Sequence, residues 1–504
     1  MLFIKYKMAY SLITVFFALP LLLITNDLWD GAMVSYGFRI DDLSGIKVTY
    51  FESGWFLQYY LYKAVYILSG FIGISEEFII KLLTILSVIG ISIEVKRLSG
   101  YLFKIPEGAS YIAAFFVLIF PAWFVLVSSA LVIHVLCIYF LLLGYRLIML
   151  KRQYFFGIAL MLLSFQLASN FMFAIGLITS DFIIRRSKNE IANINYLALS
   201  ILTIILIFIL SKVLFVPGGE YSGYNELRLS LNILKPFVGA TIYFGVFILV
   251  LVLIPSIYFI SNLRHVYKKD DFVNYLTIFL LIICAIFPYA ALGKSPRFFD
   301  FYNWDYRQAF LLSIPIPILI AYLYSKLDKL ISPAKNRKPL LLTSLTAILF
   351  LTFLYVGYSY KFTSEFHREA IIYSLKKIDQ PPSGIVGFKL KSTKAEYLTK
   401  IRPYEYNTLL QKAYGSANWM VSDIRINNIK DIFELKKWQK IALSDDAYRV
   451  KNASRFAHES CRTLIEIQQN RDINIFDILR RGYENIYTFT TIKSEGARCV
   501  LISS

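Results

Sequence analysis

The sequence predicts an α-helical polytopic membrane protein of about eleven spans, ending in a C-terminal extracytoplasmic α+β domain. Three observations predict it. The 504 residues are 57 % hydrophobic and 17 % aromatic, with a mean hydropathy of +0.56, whereas a soluble chain of this length carries more charge. Apolar runs such as 194–215 and 237–260 approach the ~20 residues that cross a bilayer, and they are almost uncharged. Beyond about residue 361 the composition turns polar and mixed in charge.

Charge sets the threading. The formal net charge is +19, but the Lys and Arg residues gather in short segments between apolar runs. That distribution is the footprint of membrane orientation and excludes a nucleic-acid partner. Lys5 and Lys7 precede an apolar run without a small-residue cleavage site, which predicts a retained anchor with its N-terminus inside. Spans follow at 9–25, 78–95, 108–127 and 131–150, then two short helices out and back over 154–184. Further spans follow at 194–216, 237–262, 272–292, 308–324 and 340–360. The segment 55–74 is apolar enough to span, but spanning would put Lys96 and Arg97 on the wrong side. Its tyrosines and Trp55 suit an amphipathic or re-entrant helix at the outer interface. The spans read as nearly charge-free.

Residues 1–360 form the membrane domain with a large first outer loop, 26–77, and residues 361–504 form the second domain. In the latter, helix patterns at 395–414 and 431–442 alternate with strand patterns at 385–390, 486–492 and 498–502. Cys137 and Cys284 lie in apolar spans as core thiols. Cys461 and Cys499 fall in the polar tail, where a disulfide and two free thiols are equally compatible with the sequence.

The first outer loop is the leading candidate for chemistry. It concentrates acids in a basic chain: Asp27 and Asp30, three apart and so on one face of a helical turn, then Asp41-Asp42, then Glu52. Asp41-Asp42 reads better as an ordinary solvated pair. A carboxylate at this level is able to take a proton from an attacking hydroxyl, or to bind a divalent metal through oxygen. The second candidate is the segment 293–307, where Lys294, Arg297 and Arg307 sit in an outer loop against the usual bias. Arginine there suits a phosphate, which it grips with two parallel hydrogen bonds. The alternative is interfacial anchoring. His134 and Asn170 near outer span ends, and Glu220 in the loop Pro217-Gly218-Gly219-Glu220-Tyr221, are further polar candidates, with buried hydrogen bonding as the alternative for the first two. The chain has no zinc-like Cys/His spacing, no Gly-x-Ser-x-Gly elbow and no phosphate-cradling glycine motif.

The layout of residues 1–360 resembles the C-type (GT-C) membrane glycosyltransferases of bacterial polysaccharide and O-antigen type, which take sugars from polyprenyl-phosphate carriers. The resemblance rests on a first span, a long outer loop opening with an acid (Asp27-Leu28-Trp29-Asp30-Gly31), an interfacial helix, and a span ending in a basic pair. It extends to Ser75-Glu76-Glu77-Phe78 running to Lys96-Arg97-Leu98, and to Trp304-Asp305-Tyr306-Arg307-Gln308 followed by Leu311-Leu312-Ser313-Ile314-Pro315. It implies an inverting glycosyltransferase of cell-envelope polysaccharide biosynthesis in a bacterial inner membrane. The donor is a polyprenyl-phospho-sugar and the acceptor a glycan, lipid or protein on the extracytoplasmic side. Asp30 occupies the place of the family's acidic residue, with Asp27 and Glu52 beside it in sequence. Arg297, Lys294 and Arg307 then meet the donor phosphate, and Trp29, Trp55 and Trp304 stack on sugars or anchor the interface. The chain departs from the family in having no adjacent Asp-x-Asp or Asp-Glu pair after the first span, so a metal cofactor stays open. A lipid-linked saccharide flippase and an O-antigen polymerase are the competing readings. The flippase calls for charges lining a pathway and for repeat-related halves.

Overall fold

The structure, a computed structural model, describes residues 2–25, 27–28, 30–39, 43, 46–51, 54–190, 194–216, 269–292, 294, 304–330, 337–378, 384–391, 401, 403–415, 419–421, 462–469 and 490–495. The chain is mostly helical. In order come α1 (Leu2–Leu23), α2 (Asp30–Arg39), α3 (Phe56–Ile72), α4 (Glu76–Leu102), α5 (Glu107–Leu118), α6 (Val132–Met149), α7 (Tyr154–Ser164), α8 (Ser169–Ser187) and α9 (Ile194–Leu214). Then follow α10 (Lys269–Ala291), α11 (Pro315–Leu330), α12 (Arg337–Lys376), β1 (Gly384–Lys391), α13 (Pro403–Tyr414), β2 (Trp419–Val421), β3 (Arg462–Gln469) and β4 (Thr490–Glu495).

Among the described residues, five helices are long and apolar enough to cross a membrane, or up to seven when each of two bent pairs counts as one span. The five lie at Glu76–Leu102, Ser129–Met149, Ile194–Leu214, Asp271–Ala291 and Ser344–Lys376. Both breaks have a covalent cause. Glu107–Leu118 bends by 45° into Pro121–Val127, and Asp305–Ser313 bends by 40° into Pro315–Lys326; proline at each restart lacks the N–H that would continue the ladder. The expected first span is shorter, its apolar part being Tyr10–Leu23. The expected span 237–262 lies outside the described residues. The segment that charge bias kept out of the membrane forms α3, which is not among the spanning candidates.

The chain divides into two compact units. The first contains 1–21, 82–126 and 131–357. Its helices approach closely where side chains are absent. A Cβ on Gly144 of α6 would meet the Gly157 carbonyl oxygen of α7 at 2.8 Å, and one on Gly176 of α8 would meet Cys284 of α10 at 2.9 Å. Only 17 % of the apolar stretch of Ile194–Leu214 is buried against 61 % for Glu76–Leu102, leaving the former's surface for lipid. The expectation of nearly charge-free spans needs correction. Glu94 of α4 is buried and accepts from Arg97 at 2.6 Å and from Arg146 of α6 at 2.8 Å. Asp181 pairs with Arg185 at 2.9 Å, and Arg185 also reaches Tyr101. Asp271 takes Tyr322 at 2.8 Å and Lys326. Each carboxylate is neutralised by a cation, which is how charge is tolerated in such helices.

The second unit contains 22–81, 127–130 and 358–504. The loop 26–77, grouped by sequence with the membrane part, therefore clusters with the tail. A four-stranded sheet runs in the order β2-β1-β3-β4, with β1 parallel to β2 and β3, and β4 antiparallel to β3. Phe388 of β1 stacks on Tyr406 of α13, their ring centroids 4.1 Å apart.

Candidate active site around the first outer turn

Between α1 and α2, among the described residues, side chains satisfy much of the backbone's hydrogen-bonding capacity. They come from far along the sequence. The Ile24 carbonyl accepts from Lys81. The Thr25 N–H and Oγ1 each donate to Glu365 Oε1 at 2.7 Å, and the Thr25 carbonyl accepts from Lys412 at 3.2 Å. The Leu28 carbonyl accepts from Ser128 Oγ at 2.7 Å and from the Gly31 N–H at 3.1 Å. The Ala32 carbonyl accepts from Thr408 Oγ1 at 2.7 Å.

Asp27 is the hub. Its side chain is buried; Oδ1 accepts from the N–H groups of Leu28 and Ser129, both at 2.9 Å, and Oδ2 accepts from Ser35 Oγ at 3.2 Å. These bonds join the turn, α2 and residues 127–130. Burial pushes the Asp27 carboxyl above its ordinary value of 3.8, while the Ser129 donor and Lys81 pull it back. Both backbone donors converge on Oδ1, so a proton on Oδ2 leaves them in place and reverses only the Ser35 bond. The pH dependence follows from that raised value. The folded state keeps the proton to higher pH than the unfolded chain, so the stability from this group is full below about 4 and is lost as pH rises toward the folded value. In thermal melts across that range the midpoint of the wild type, taken relative to Asp27→Asn, will fall as pH rises.

Gly31 exists because Asp27 occupies its flank. A Cβ there would lie 2.0 Å from Asp27 Oδ1, 2.6 Å from its Cγ and 2.7 Å from Ser128 Oγ. Gly31→Ala must displace the hub, and we expect a loss of about 1–3 kcal/mol in thermal or denaturant unfolding.

Asp30 opens α2 in its first turn and is half-buried. A negative charge at that position is favoured by the helix dipole. α2 buries Ala32, Val34, Ser35 and Phe38. Beside it, Tyr62 of α3 accepts from Gln58 at 2.7 Å and donates to the Ser129 carbonyl at 3.2 Å. Burial, then the charges of Asp27 and Asp30, raise the Tyr62 phenol, so both acids lie within electrostatic reach of it. Trp55 is half-buried, with its N–H on the Tyr50 carbonyl at 2.6 Å. Trp29, Glu52, Asp41 and Asp42 lie outside the described residues.

The first unit holds a separate polar cluster. The charge of Arg307 acts on both His134 of α6 and Tyr289 of α10. Tyr289 Oη lies 3.4 Å from Ser169 Oγ of α8, and the Lys294 N–H donates to the Tyr289 carbonyl at 2.9 Å. The His134 ring meets Phe310 edge to face, with centroids 6.4 Å apart. Asn170 is buried and donates to the Ser164 carbonyl at 3.1 Å, which fixes the bend between α7 and α8. Of the sequence candidates, Arg307 and His134 are thus linked to this cluster by charge, and Lys294 by its backbone N–H. Trp304 opens the 3-10 segment Trp304–Ser313. Arg297 and Glu220 lie outside the described residues, as do Cys461 and Cys499. Cys137 and Cys284 are buried free thiols.

Sequence reasoning missed Ser35, Lys81, Ser128, Ser129, Glu365, Thr408 and Lys412. The available signals were small: a serine pair interrupting an apolar run at 128–129, and Lys81 inside a span. Among the described residues, no group of three or more His, Cys, Asp or Glu side chains is arranged to hold a metal ion. Comparison of the chain with family models, with curated proteins and with solved structures finds no match.

Proposed function

We propose that the chain is a C-type membrane glycosyltransferase that moves a sugar from a polyprenyl-phosphate carrier to a hydroxyl on a glycan, lipid or protein. The observation that carries the reading is the division of labour between the two acids of the first turn. Asp27 spends both oxygens on three hydrogen bonds that shape the turn, while Asp30 stands at the helix start that the turn defines. An acid built into such a scaffold matches what a general base requires: a fixed position and a charge stabilised in place.

In this reading Asp30 removes the proton of the acceptor hydroxyl. The acceptor oxygen forms its bond to the anomeric carbon as the bond from that carbon to the phosphate oxygen breaks, with inversion. Polyprenyl phosphate leaves with its electron pair, and its charge is met by a cation. Trp29, Trp55 and Trp304 are the candidates to stack on sugar faces. The proposal includes eleven spans, a bacterial inner membrane, a cytoplasmic N-terminus, and a tail folded as an extracytoplasmic α+β domain. The hydrogen bonds joining Thr25 to Glu365 and Lys412 support a common face for the turn and the tail.

The test uses purified full-length protein in vesicles with synthetic polyprenyl-phospho-sugars. Sugar transfer to an acceptor supports the reading. Movement of the lipid across the bilayer without transfer overturns it in favour of a carrier.

A further inference from the structure

The tail grips the first turn through side chains that bond to Thr25 and to the Ala32 carbonyl. Glu365 lies on α12 and Lys412 and Thr408 on α13, more than 300 residues from the turn in sequence. These two helices are fastened to each other. Arg368 of α12 pairs with Glu405 of α13, both buried, and Tyr414 Oη donates to the Leu375 carbonyl at 2.7 Å. Together they form a bracket. One carboxylate oxygen of Glu365 takes both donors of Thr25, Lys412 takes the Thr25 carbonyl, and Thr408 takes the Ala32 carbonyl on the far side of Asp30. The turn that carries Asp30 is therefore held at both ends by the tail. Its middle is held by Asp27.

Charge-assisted bonds to backbone are a costly way to hold a turn, because each ion must be taken partly out of water. Glu365 is buried, and Arg39 and Glu77 close a further ion pair at 2.9 Å within the same unit. A loop needing only to connect two helices is served by water. A bracket of this kind suits a loop whose shape must persist while a ligand comes and goes.

We propose that the bracket formed by α12 and α13 is a positioning device for Asp30, with Glu365 as its principal positioning residue acting through Thr25. The inference rests on the glycosyltransfer reading above. It assigns the tail a role within the catalytic unit, in place of that of an appended domain.

The test compares Glu365→Gln, Thr25→Val and Thr25→Ser in full-length protein, reading sugar transfer and backbone hydrogen exchange over residues 24–32. Thr25→Ser keeps both donors and should behave as wild type. Glu365→Gln and Thr25→Val should lower kcat about 10- to 100-fold while leaving the donor KM within about twofold, since misplacement of a catalytic group costs rate rather than binding. The double variant should be no worse than the worse single one, and exchange over 24–32 should quicken. Thr25→Val keeps Glu365 in place and so guards against a Glu365 variant that fails to fold. Unchanged kcat alongside quickened exchange overturns the proposal, as does a rise in KM without a fall in kcat. If the wild-type protein transfers no sugar, the glycosyltransfer reading falls by itself. The bracket then stands on quickened exchange in both Glu365→Gln and Thr25→Val, and falls if exchange is unchanged.

Discussion

Asp30→Asn should lower sugar transfer by about 100- to 10,000-fold without unfolding the protein, the range over which a positioned general base contributes. The substitution keeps the size of the side chain and its place in the first turn of α2. It removes the proton acceptor. Some stability is lost because an anion favours the helix start, on the order of 0.3–1 kcal/mol. The measurement is single-turnover transfer from a polyprenyl-phospho-sugar by protein reconstituted in vesicles, with a thermal melt of the same preparation. A variant that melts normally and transfers at the wild-type rate removes Asp30 from the chemistry. The companion measurement is Asp27→Asn, which should leave transfer nearly intact. Opposite outcomes for the two acids would exchange their roles.

How much of this was legible in the sequence depends on the range of the interaction. Apolar runs and basic pairs are local signals, and they found the spans at Glu76–Leu102, Ile194–Leu214 and Ser344–Lys376 to within a few residues at most ends, though the last continues as helix well past the expected boundary at 360. The charge argument that kept 55–74 out of the membrane is also local, and α3, at 17 residues, is shorter than the spanning candidates. The acids of the first turn were visible as a departure from the chain's basic bias. Their division of labour was not. Asp27 and Asp30 look alike in sequence, and it is the Ser129 N–H, 102 positions away, and Ser35 that tie Asp27 into the fold. Glu365 and Lys412 read as ordinary charges of a polar region, because nothing local reveals that they close on Thr25 from 340 and 387 positions away. Glu94 and Arg146 were overlooked for a related reason: each sits near a span end where a charge excites no notice, and their pairing is a tertiary fact.

Asp27→Ala should destabilise the second unit by about 3–5 kcal/mol, the range for removing one partner from a buried, charge-assisted cluster. The cost comes from what stays behind. The N–H groups of Leu28 and Ser129 and the hydroxyl of Ser35 lose their acceptor inside a space too enclosed to hydrate freely. Asp27→Asn is the contrasting case. Its amide oxygen can keep the two backbone bonds, and its NH2 can donate to Ser35 Oγ in place of the reversed bond. It also removes a carboxylate whose charge burial disfavours. We expect it to cost less than about 1 kcal/mol, the net worth of a typical hydrogen bond, and to remove this position's share of the pH dependence. Asparagine keeps the volume of aspartate and alanine does not, so Asp27→Leu, which fills the space without an acceptor, is the control: a packing explanation predicts a small loss for leucine, and the hydrogen-bond explanation a loss like that of alanine. The hydrogen-bond explanation predicts a severe loss for alanine and near-neutrality for asparagine. Thermal melts read alongside hydrogen exchange over residues 27–38 decide between them. Equal destabilisation by Asp27→Ala and Asp27→Asn would mean that the turn depends on the charge of Asp27, not on its capacity to accept.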